Sequence, residues 1–121
     1  MEIRKHAELV GPVPRTEMGE HFGWAPVFAL PSICEGPATV TYEALPRGLP
    51  VVCTPNTGSV VRDGIDGYIV PPRDTGSLVA RLDMLAGDSR LLAQMSANAL
   101  AHASEFTVGR YGQRLLAALT P

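Results

Sequence analysis

Glu35 and Glu43 are two acidic side chains that lie eight positions apart, where a strand-like segment gives way to a helix-like one. Gly36 and Pro37 follow Glu35 directly. Glycine lets a ligand approach the backbone closely, and proline suits the first position of a helix. The free N–H groups at a helix start attract anions such as phosphate. Since eight residues exceed a whole number of helical turns by only about 80°, we expect both carboxylates to line neighbouring walls of one cleft.

The segments that position these side chains alternate between strand and helix patterns. Residues 7–10 predict a strand that ends at Gly11 and Pro12, and segments typical of buried strands occur at 26–30, 50–54 and 68–70. Residues 15–23 predict a short helix capped by Thr16, and residues 35–45 predict the helix that carries both glutamates. We expect this second helix to end or kink near Leu45, because Pro46 removes a backbone hydrogen bond and clashes with the preceding turn.

Capping residues mark the helix boundaries in the rest of the chain. From Asp74 the pattern is helical as far as Gly87. Asp88 then caps a longer helix, and Thr107 caps a final one. Gly48 fits the left-handed conformation that often follows the last residue of a helix. The second half of the chain is therefore predicted to be mostly helical.

The alternation of strands and helices determines the predicted fold class. Strands joined by helices at intervals of about 20 residues require right-handed crossovers and a parallel sheet. We therefore predict an α/β fold with a Rossmann-like, doubly wound parallel sheet. Ligands of such sheets bind at the carboxyl ends of the strands. The loops at 31–37 and 54–59 follow adjacent predicted strands, which places Glu35, Gly36 and Gly58 around one mouth.

The composition limits the possible classes of function. A chain of 121 residues with 45% hydrophobic residues can bury one modest core. Its 10 basic and 12 acidic residues give a net charge of −2 without a Lys/Arg cluster, so nucleic acid is not a predicted partner. No run approaches the roughly 18 to 20 apolar residues of a membrane span, and no signal peptide is evident. We therefore expect a cytoplasmic protein without a transmembrane segment.

Other reactive side chains have simpler interpretations. No cluster of His, Cys, Asp and Glu has metal-ligand spacing, so no metal or other cofactor is predicted. The three histidines lack partners at catalytic spacing and are expected to be surface or packing residues. Trp24 directly precedes a strand and is expected to pack in the core. The two cysteines are expected to be small buried residues rather than a disulfide pair.

Several motifs resemble those of the large glycosyltransferase family four, whose hallmark is two glutamates separated by seven residues. The resembling segments are Pro31 and Ser32, Glu35 and Gly36, Glu43 and Ala44, 48–52, 62–72 with Asp74 after it, and 105–107. Residues 9–13 are similar to the strand that precedes this pattern in the family. The resemblance covers nearly the whole chain and is specific, because several unrelated motifs agree in order and spacing.

The resemblance implies the carboxyl-terminal half of an enzyme with the GT-B architecture, the domain that binds a nucleotide-sugar donor. It implies transfer of a sugar to an unknown acceptor with retention at the anomeric carbon, in a setting such as polysaccharide biosynthesis. Residues 1–121 would be an incomplete donor-binding domain, with the acceptor-binding amino-terminal domain absent. That domain is the expected partner, and any peripheral membrane contact would pass through it. We expect little transferase activity from the isolated chain.

The resemblance also implies a role for each matching residue. The second glutamate, Glu43, accepts hydrogen bonds from the ribose hydroxyls of the donor. The first, Glu35, lies near the transferred sugar and is the candidate catalytic residue. Backbone groups that contact the donor are expected at Gly36, Ala38, Thr39, Gly58 and Ser59, the first three facing the diphosphate. The family usually has Gly-Gly and a glutamate in the loop after residue 54, whereas residues 57–60 here lack the acid.

Two alternative functions remain open at the level of sequence. One is a sugar-nucleotide epimerase of the same fold, which would convert the donor without an acceptor. The other is a non-catalytic module that recruits a partner through an open sheet edge and binds no nucleotide.

Overall fold

The structure is a computed structural model that describes residues 6–34, 39–57 and 60–120. The strands are β1 (Phe28–Leu30), β2 (Val51–Cys53) and β3 (Gly67–Ile69). The α-helices are α1 (Met18–Trp24), α2 (Thr39–Ala44), α3 (Thr75–Gly87), α4 (Ser89–Ala103) and α5 (Val108–Leu119). Short 3-10 turns are formed by Arg15–Glu17, Leu45–Arg47, Pro55–Thr57 and Ser104–Phe106.

The three strands form a parallel sheet in the order β1-β2-β3. Val51 pairs with Phe28 on one side and with Gly67 on the other. A Cβ atom at Gly67 would lie 1.8 Å from the carbonyl oxygen of Val51, so only glycine fits this register. The sheet confirms three of the predicted strands: β1 and β2 are shorter than their predicted ranges, and β3 lies one residue earlier than predicted.

Helices cover both faces of the sheet. Neighbouring side chains on a strand point to opposite faces, and β2 is fully buried on both. Val51 packs with Phe22 of α1 and Ala44 of α2, whereas Val52 packs with Leu85 of α3. The long helix α4 contributes to both hydrophobic clusters. The predicted doubly wound α/β arrangement is therefore confirmed.

The end of α2 follows the prediction from its sequence. The α-helical hydrogen bonding stops at Ala44, and Pro46 lies in the 3-10 turn that follows. Gly48 then adopts the left-handed conformation with φ of 71°, and its N–H donates to the carbonyl of Leu45 at 3.0 Å. Ser96 of α4 donates its hydroxyl to the carbonyl of Gly48 at 2.7 Å. This contact fixes the helix end against α4.

The later helices begin at side-chain caps. Asp88 accepts from the N–H of Leu91 at 3.0 Å, and Thr107 accepts from that of Arg110 at 3.1 Å, as predicted. Asp74 accepts from the N–H of Ser77 at 2.9 Å. Each bond satisfies one of the N–H groups that a helix start leaves without an intrahelical partner.

Four local predictions in the first half of the chain were wrong. Residues 7–10 form no strand and are exposed. Thr16 does not cap α1, which begins two residues later after a 3-10 turn and has no side-chain cap. Trp24 is 74% exposed instead of packed in the core. Its ring lies edge-on to that of His21, with centroids 6.3 Å apart. Cys53 is buried as expected, but Cys34 is exposed.

The last helix, α5, leaves apolar side chains on the surface. Those that are more than two-fifths exposed are Val108, Tyr111, Leu115, Leu116 and Leu119. The final helix and its Thr107 cap were predicted, and the structure confirms both. Within the described ranges, no helix has both the length and the apolar character that a membrane span requires.

Candidate functional site

The loops that follow β1 and β2 contact each other at the carboxyl edge of the sheet. The hydroxyl of Thr54 donates to the carbonyl of Ser32, and the side-chain amide of Asn56 donates to the carbonyl of Ile33. The buried Thr57 closes the second loop by donating its hydroxyl to the carbonyl of Thr54 at 2.9 Å. The two loops predicted to form one mouth are thus adjacent in their described parts.

Glu43 lies on α2, which the chain enters from the loop after β1. Its side chain is 30% exposed, and its Oε1 atom lies 2.6 Å from Nη2 of Arg15. The Arg15 side chain is itself 82% exposed. An ion pair with such a solvated partner contributes little to stability. A ligand that offers hydroxyl donors can therefore replace Arg15 at small free-energy cost.

Most of the other predicted site residues lie outside the described residues. These are Glu35, Gly36, Ala38, Gly58 and Ser59. Thr39 is the first described residue of α2. The proposed contacts of all six residues with a donor stay predictions.

A cleft of about 180 Å³ opens at the same carboxyl edge, between the loop after β1 and the loop after β3. It is lined by Pro31, Ile33, Val70, Pro71, Arg73, Asp74, Thr75 and Leu78. Arg73 has a φ of 62°, an uncommon conformation for a residue other than glycine. The hydroxyl and N–H of Ser77 hydrogen-bond the Asp74 carboxylate and hold its pKa below the ordinary value.

A larger cleft of about 370 Å³ lies at the opposite, amino-terminal edge of the sheet. Pro26 and Leu49, which precede β1 and β2, are among its lining residues, together with Arg47. Its size does not make it the better candidate, because ligands of parallel α/β sheets bind at the carboxyl ends of the strands. Among residues 6–34, 39–57 and 60–120, no three His, Cys, Asp or Glu side chains are grouped to hold a metal ion.

A buried polar cluster that the sequence analysis missed lies beside the loop after β2. Asp66 is fully buried, and its two oxygens accept from Nε and Nη2 of Arg62 at 2.9 and 2.7 Å. The N–H of Arg62 donates to the same carboxylate at 3.1 Å. These hydrogen bonds raise the pKa of Arg62 above its ordinary value. His102, 7% exposed, places Nε2 3.9 Å from Oδ2 of Asp66.

His102 was predicted to be a surface or packing residue, and it is buried, but the sequence analysis did not anticipate its polar neighbours. Asp66 and His102 are far apart in sequence, and no short motif joins them. The only local signal was Glu105, three positions after His102 and on the same side of a helical turn. Its Oε2 lies 3.3 Å from Nδ1 of His102.

The sequence of most of the chain is similar to that of known proteins. Residues 1–102 match the model of the family described as glycosyl transferases group 1. A D-inositol 3-phosphate glycosyltransferase of Nocardia farcinica is 30% identical over 116 residues, which cover 94% of this chain and 26% of that protein. The chain thus spans about a quarter of the length of this relative.

Solved structures share the fold. The C-terminal domain of a glycosyl transferase group 1 family protein from Francisella tularensis superposes with a TM-score of 0.74 at 21% identity, covering 81% of this chain and 51% of that one. Sucrose-phosphate synthase of Thermosynechococcus elongatus gives a TM-score of 0.78 at 22% identity, covering 94% of this chain and 31% of that one.

Proposed function

Because this chain belongs to the glycosyl transferases group 1 family, we propose that it binds the nucleotide-sugar donor of a retaining glycosyltransferase with GT-B architecture. The mouth at the carboxyl edge of the sheet is the proposed binding site. Transfer itself would need an acceptor-binding domain as the opposite wall of the cleft. The relative from Nocardia farcinica, of which the chain matches 26%, is long enough to contain such a domain in addition.

The observation that carries this proposal is the position and pairing of Glu43. The carboxylate stands on the helix that leaves the β1 loop, and it is paired with a solvated arginine rather than with a buried group. A carboxylate accepts hydrogen bonds from both hydroxyls of a vicinal diol without needing a proton of its own. We therefore assign the ribose contact to Glu43, in agreement with its place in the two-glutamate motif.

The remaining roles follow from the motif. Glu35 would contact the transferred sugar and act as the candidate catalytic residue. Backbone N–H groups at Gly36, Ala38 and Thr39 would face the diphosphate, where donors aimed at developing charge stabilise a departing anion. Backbone groups of Gly58 and Ser59 would contact the donor from the second loop. No metal or further cofactor has a role in this proposal.

Isothermal titration of the chain with UDP, GDP and ADP tests donor binding. We expect at least one nucleoside diphosphate to bind, and Glu43→Gln to weaken it about tenfold or more, since the amide replaces one of two acceptor oxygens. Asp83→Asn is the matched control, because Asp83 is an exposed carboxylate on α3, on the other face of the sheet. Absence of binding by the parent chain, or equal losses in both variants, would contradict the proposal.

Incubation with nucleotide sugars tests the need for a second domain. We expect the chain alone to hydrolyse or transfer donor sugar very slowly, since one wall of the cleft cannot position an acceptor. Rapid transfer by the 121-residue chain would show that this expectation is wrong. Conversion of one nucleotide sugar into another without an acceptor would instead indicate an epimerase.

A further inference from the structure

His102 makes a directional contact with the backbone next to the loop after β2. Its side chain lies on α4 and is almost completely buried, and Nε2 is 3.1 Å from the carbonyl oxygen of Val60. A carbonyl oxygen can only accept, so the hydrogen must be on Nε2. In sequence, Val60 directly follows Gly58 and Ser59. On the other side of these two residues, Thr57 is fixed by its hydroxyl bond to Thr54.

The same imidazole reaches toward the helix that carries Glu43. Its ring lies edge-on to that of Phe106, with centroids 4.8 Å apart and planes at 89°. Phe106 in turn packs edge-on against Tyr42, at 5.6 Å and 83°. Tyr42 is the neighbour of Glu43 on α2. His102 and the ring of Phe106 therefore connect Val60 with Tyr42. These two residues adjoin the two segments that the proposed function assigns to the donor site.

The other ring nitrogen of His102 argues against a purely space-filling role. Nδ1 is buried without a hydrogen bond, although Oε2 of Glu105 lies 3.3 Å away. In the neutral ring with its hydrogen on Nε2, Nδ1 can only accept, as can the Glu105 carboxylate. A buried polar atom without a partner lowers stability, and an aliphatic side chain would fill the space without this penalty. The feature that an aliphatic residue could not reproduce is the bond to Val60.

We propose that His102 is a positioning residue of the donor site, holding the loop after β2 at Val60 and bracing α2 through Phe106. This inference rests on the proposed function, because it assigns His102 to the same nucleotide-sugar site. His102 does not touch the donor. It holds Val60, which follows the loop after β2, and through Phe106 it supports Tyr42, the neighbour of Glu43.

Three substitutions at this position separate the bond from the packing. His102→Leu fills the space but donates no hydrogen bond. His102→Gln carries an amide nitrogen where Nε2 was, whereas His102→Asn carries its amide where Nδ1 was. We expect Leu and Asn to weaken the nucleoside diphosphate that binds the parent by about fivefold or more, and Gln to retain parental affinity within about twofold.

Leu85→Val controls for a general loss of stability. Leu85 is buried in the cluster on the other face of the sheet, and this variant should destabilise the chain while leaving nucleotide affinity within about twofold. Equal affinity of the Leu variant and the parent would overturn the inference. So would a Gln variant as weak as the Asn variant, or an equal loss in Leu85→Val.

Amide hydrogen exchange of the free protein gives a second readout. We expect faster exchange at residues 57–61 in the Leu and Asn variants and parental rates in the Gln variant. If the parent binds none of UDP, GDP and ADP, the proposed function fails, while exchange still decides whether His102 holds this loop. Parental exchange rates at 57–61 in the Leu and Asn variants would overturn the positioning role.

Discussion

Asp66 and Glu43 are both carboxylates paired with an arginine, but their surroundings are opposite. Asp66 is fully buried and accepts three hydrogen bonds from Arg62, two from the guanidinium and one from the backbone. Glu43 is partly exposed, and its carboxylate lies 2.6 Å from Arg15, a side chain that is 82% exposed. The Asp66 carboxylate is shielded from solvent by the fold. The Glu43 carboxylate is paired with an arginine that solvent surrounds, so water can take the place of this arginine.

This is the difference that we expect between a structural ion pair and the proposed binding group. A buried carboxylate must be satisfied internally, because an unpaired buried charge is strongly destabilising. A carboxylate intended for a ligand must keep an acceptor that an incoming hydroxyl can reach. The Arg62–Asp66 pair fixes the turn that precedes β3, whereas the Glu43 carboxylate is paired with a solvated side chain.

Asp66→Ala should have the largest effect on stability. The substitution removes three hydrogen bonds and leaves the turn at 62–66 without its internal acceptor, so we expect a loss of about 3 kcal/mol in the free energy of unfolding. Urea denaturation followed by circular dichroism measures it. A loss below about 1 kcal/mol would mean that Asp66 is no more structural than Glu43.

Glu43→Ala should show the opposite profile. We expect the free energy of unfolding to change by less than about 1 kcal/mol, since only an exposed pair is lost, while nucleoside diphosphate affinity falls by tenfold or more, about 1.4 kcal/mol. Parallel urea denaturation and calorimetry on one preparation compare the two quantities. A large loss of stability without a loss of affinity would make Glu43, like Asp66, a structural carboxylate.

Asp74 is intermediate between Asp66 and Glu43, because its carboxylate is hydrogen-bonded within the protein but is not fully buried. Its contribution to stability should therefore depend on pH. The hydroxyl and the N–H of Ser77 lower its pKa below the ordinary 3.8. A lowered pKa in the folded state means that the ionised carboxylate stabilises the fold above the ordinary pKa and that this contribution is lost as pH falls through the lowered value. Asp74→Asn keeps the cap but removes the charge.

We therefore expect the parent to melt at a higher temperature than Asp74→Asn near neutral pH, with the difference shrinking as the pH falls below 3.8 and through the lowered pKa. Differential scanning fluorimetry across this range measures the two melting curves. A difference that is as large in acid as at neutral pH would assign the effect to packing rather than to charge.

Arg15→Ala should have the smallest effect. We expect a change of less than about 0.5 kcal/mol in the free energy of unfolding, because both partners of its ion pair are solvated. A double-mutant cycle with Glu43→Ala isolates the coupling between the two side chains. A coupling above about 1 kcal/mol would show that Glu43 is held as firmly as Asp66.

Local chemistry was readable from the sequence wherever a few neighbouring residues determine it. Proline at 46 and glycine at 48 set the end of α2, and Asp88 and Thr107 set the starts of α4 and α5, because each acts on backbone groups within four positions. The parallel sheet followed from the alternation of patterns. The mouth followed from the sheet, since carboxyl ends of parallel strands share an edge.

Features that depend on distant partners were not readable. Residues 7–10 have a strand-like pattern, but a strand needs a neighbour to take its backbone hydrogen bonds, and a local pattern does not reveal one. His102 meets Val60 and Asp66 only after α4 packs against the sheet. The pairing of Arg15 with Glu43 joins residues 28 positions apart, and exposed pairs of this kind leave no pattern.

The most direct test of the central claim is an amide NMR titration of the chain with the nucleoside diphosphate that it binds. The account predicts that shift changes cluster at the carboxyl edge of the sheet, in residues 31–34, 39–44 and 54–60. Changes confined to the opposite edge, around Leu49 and Ala93 of the larger cleft, would contradict it, as would the absence of any change.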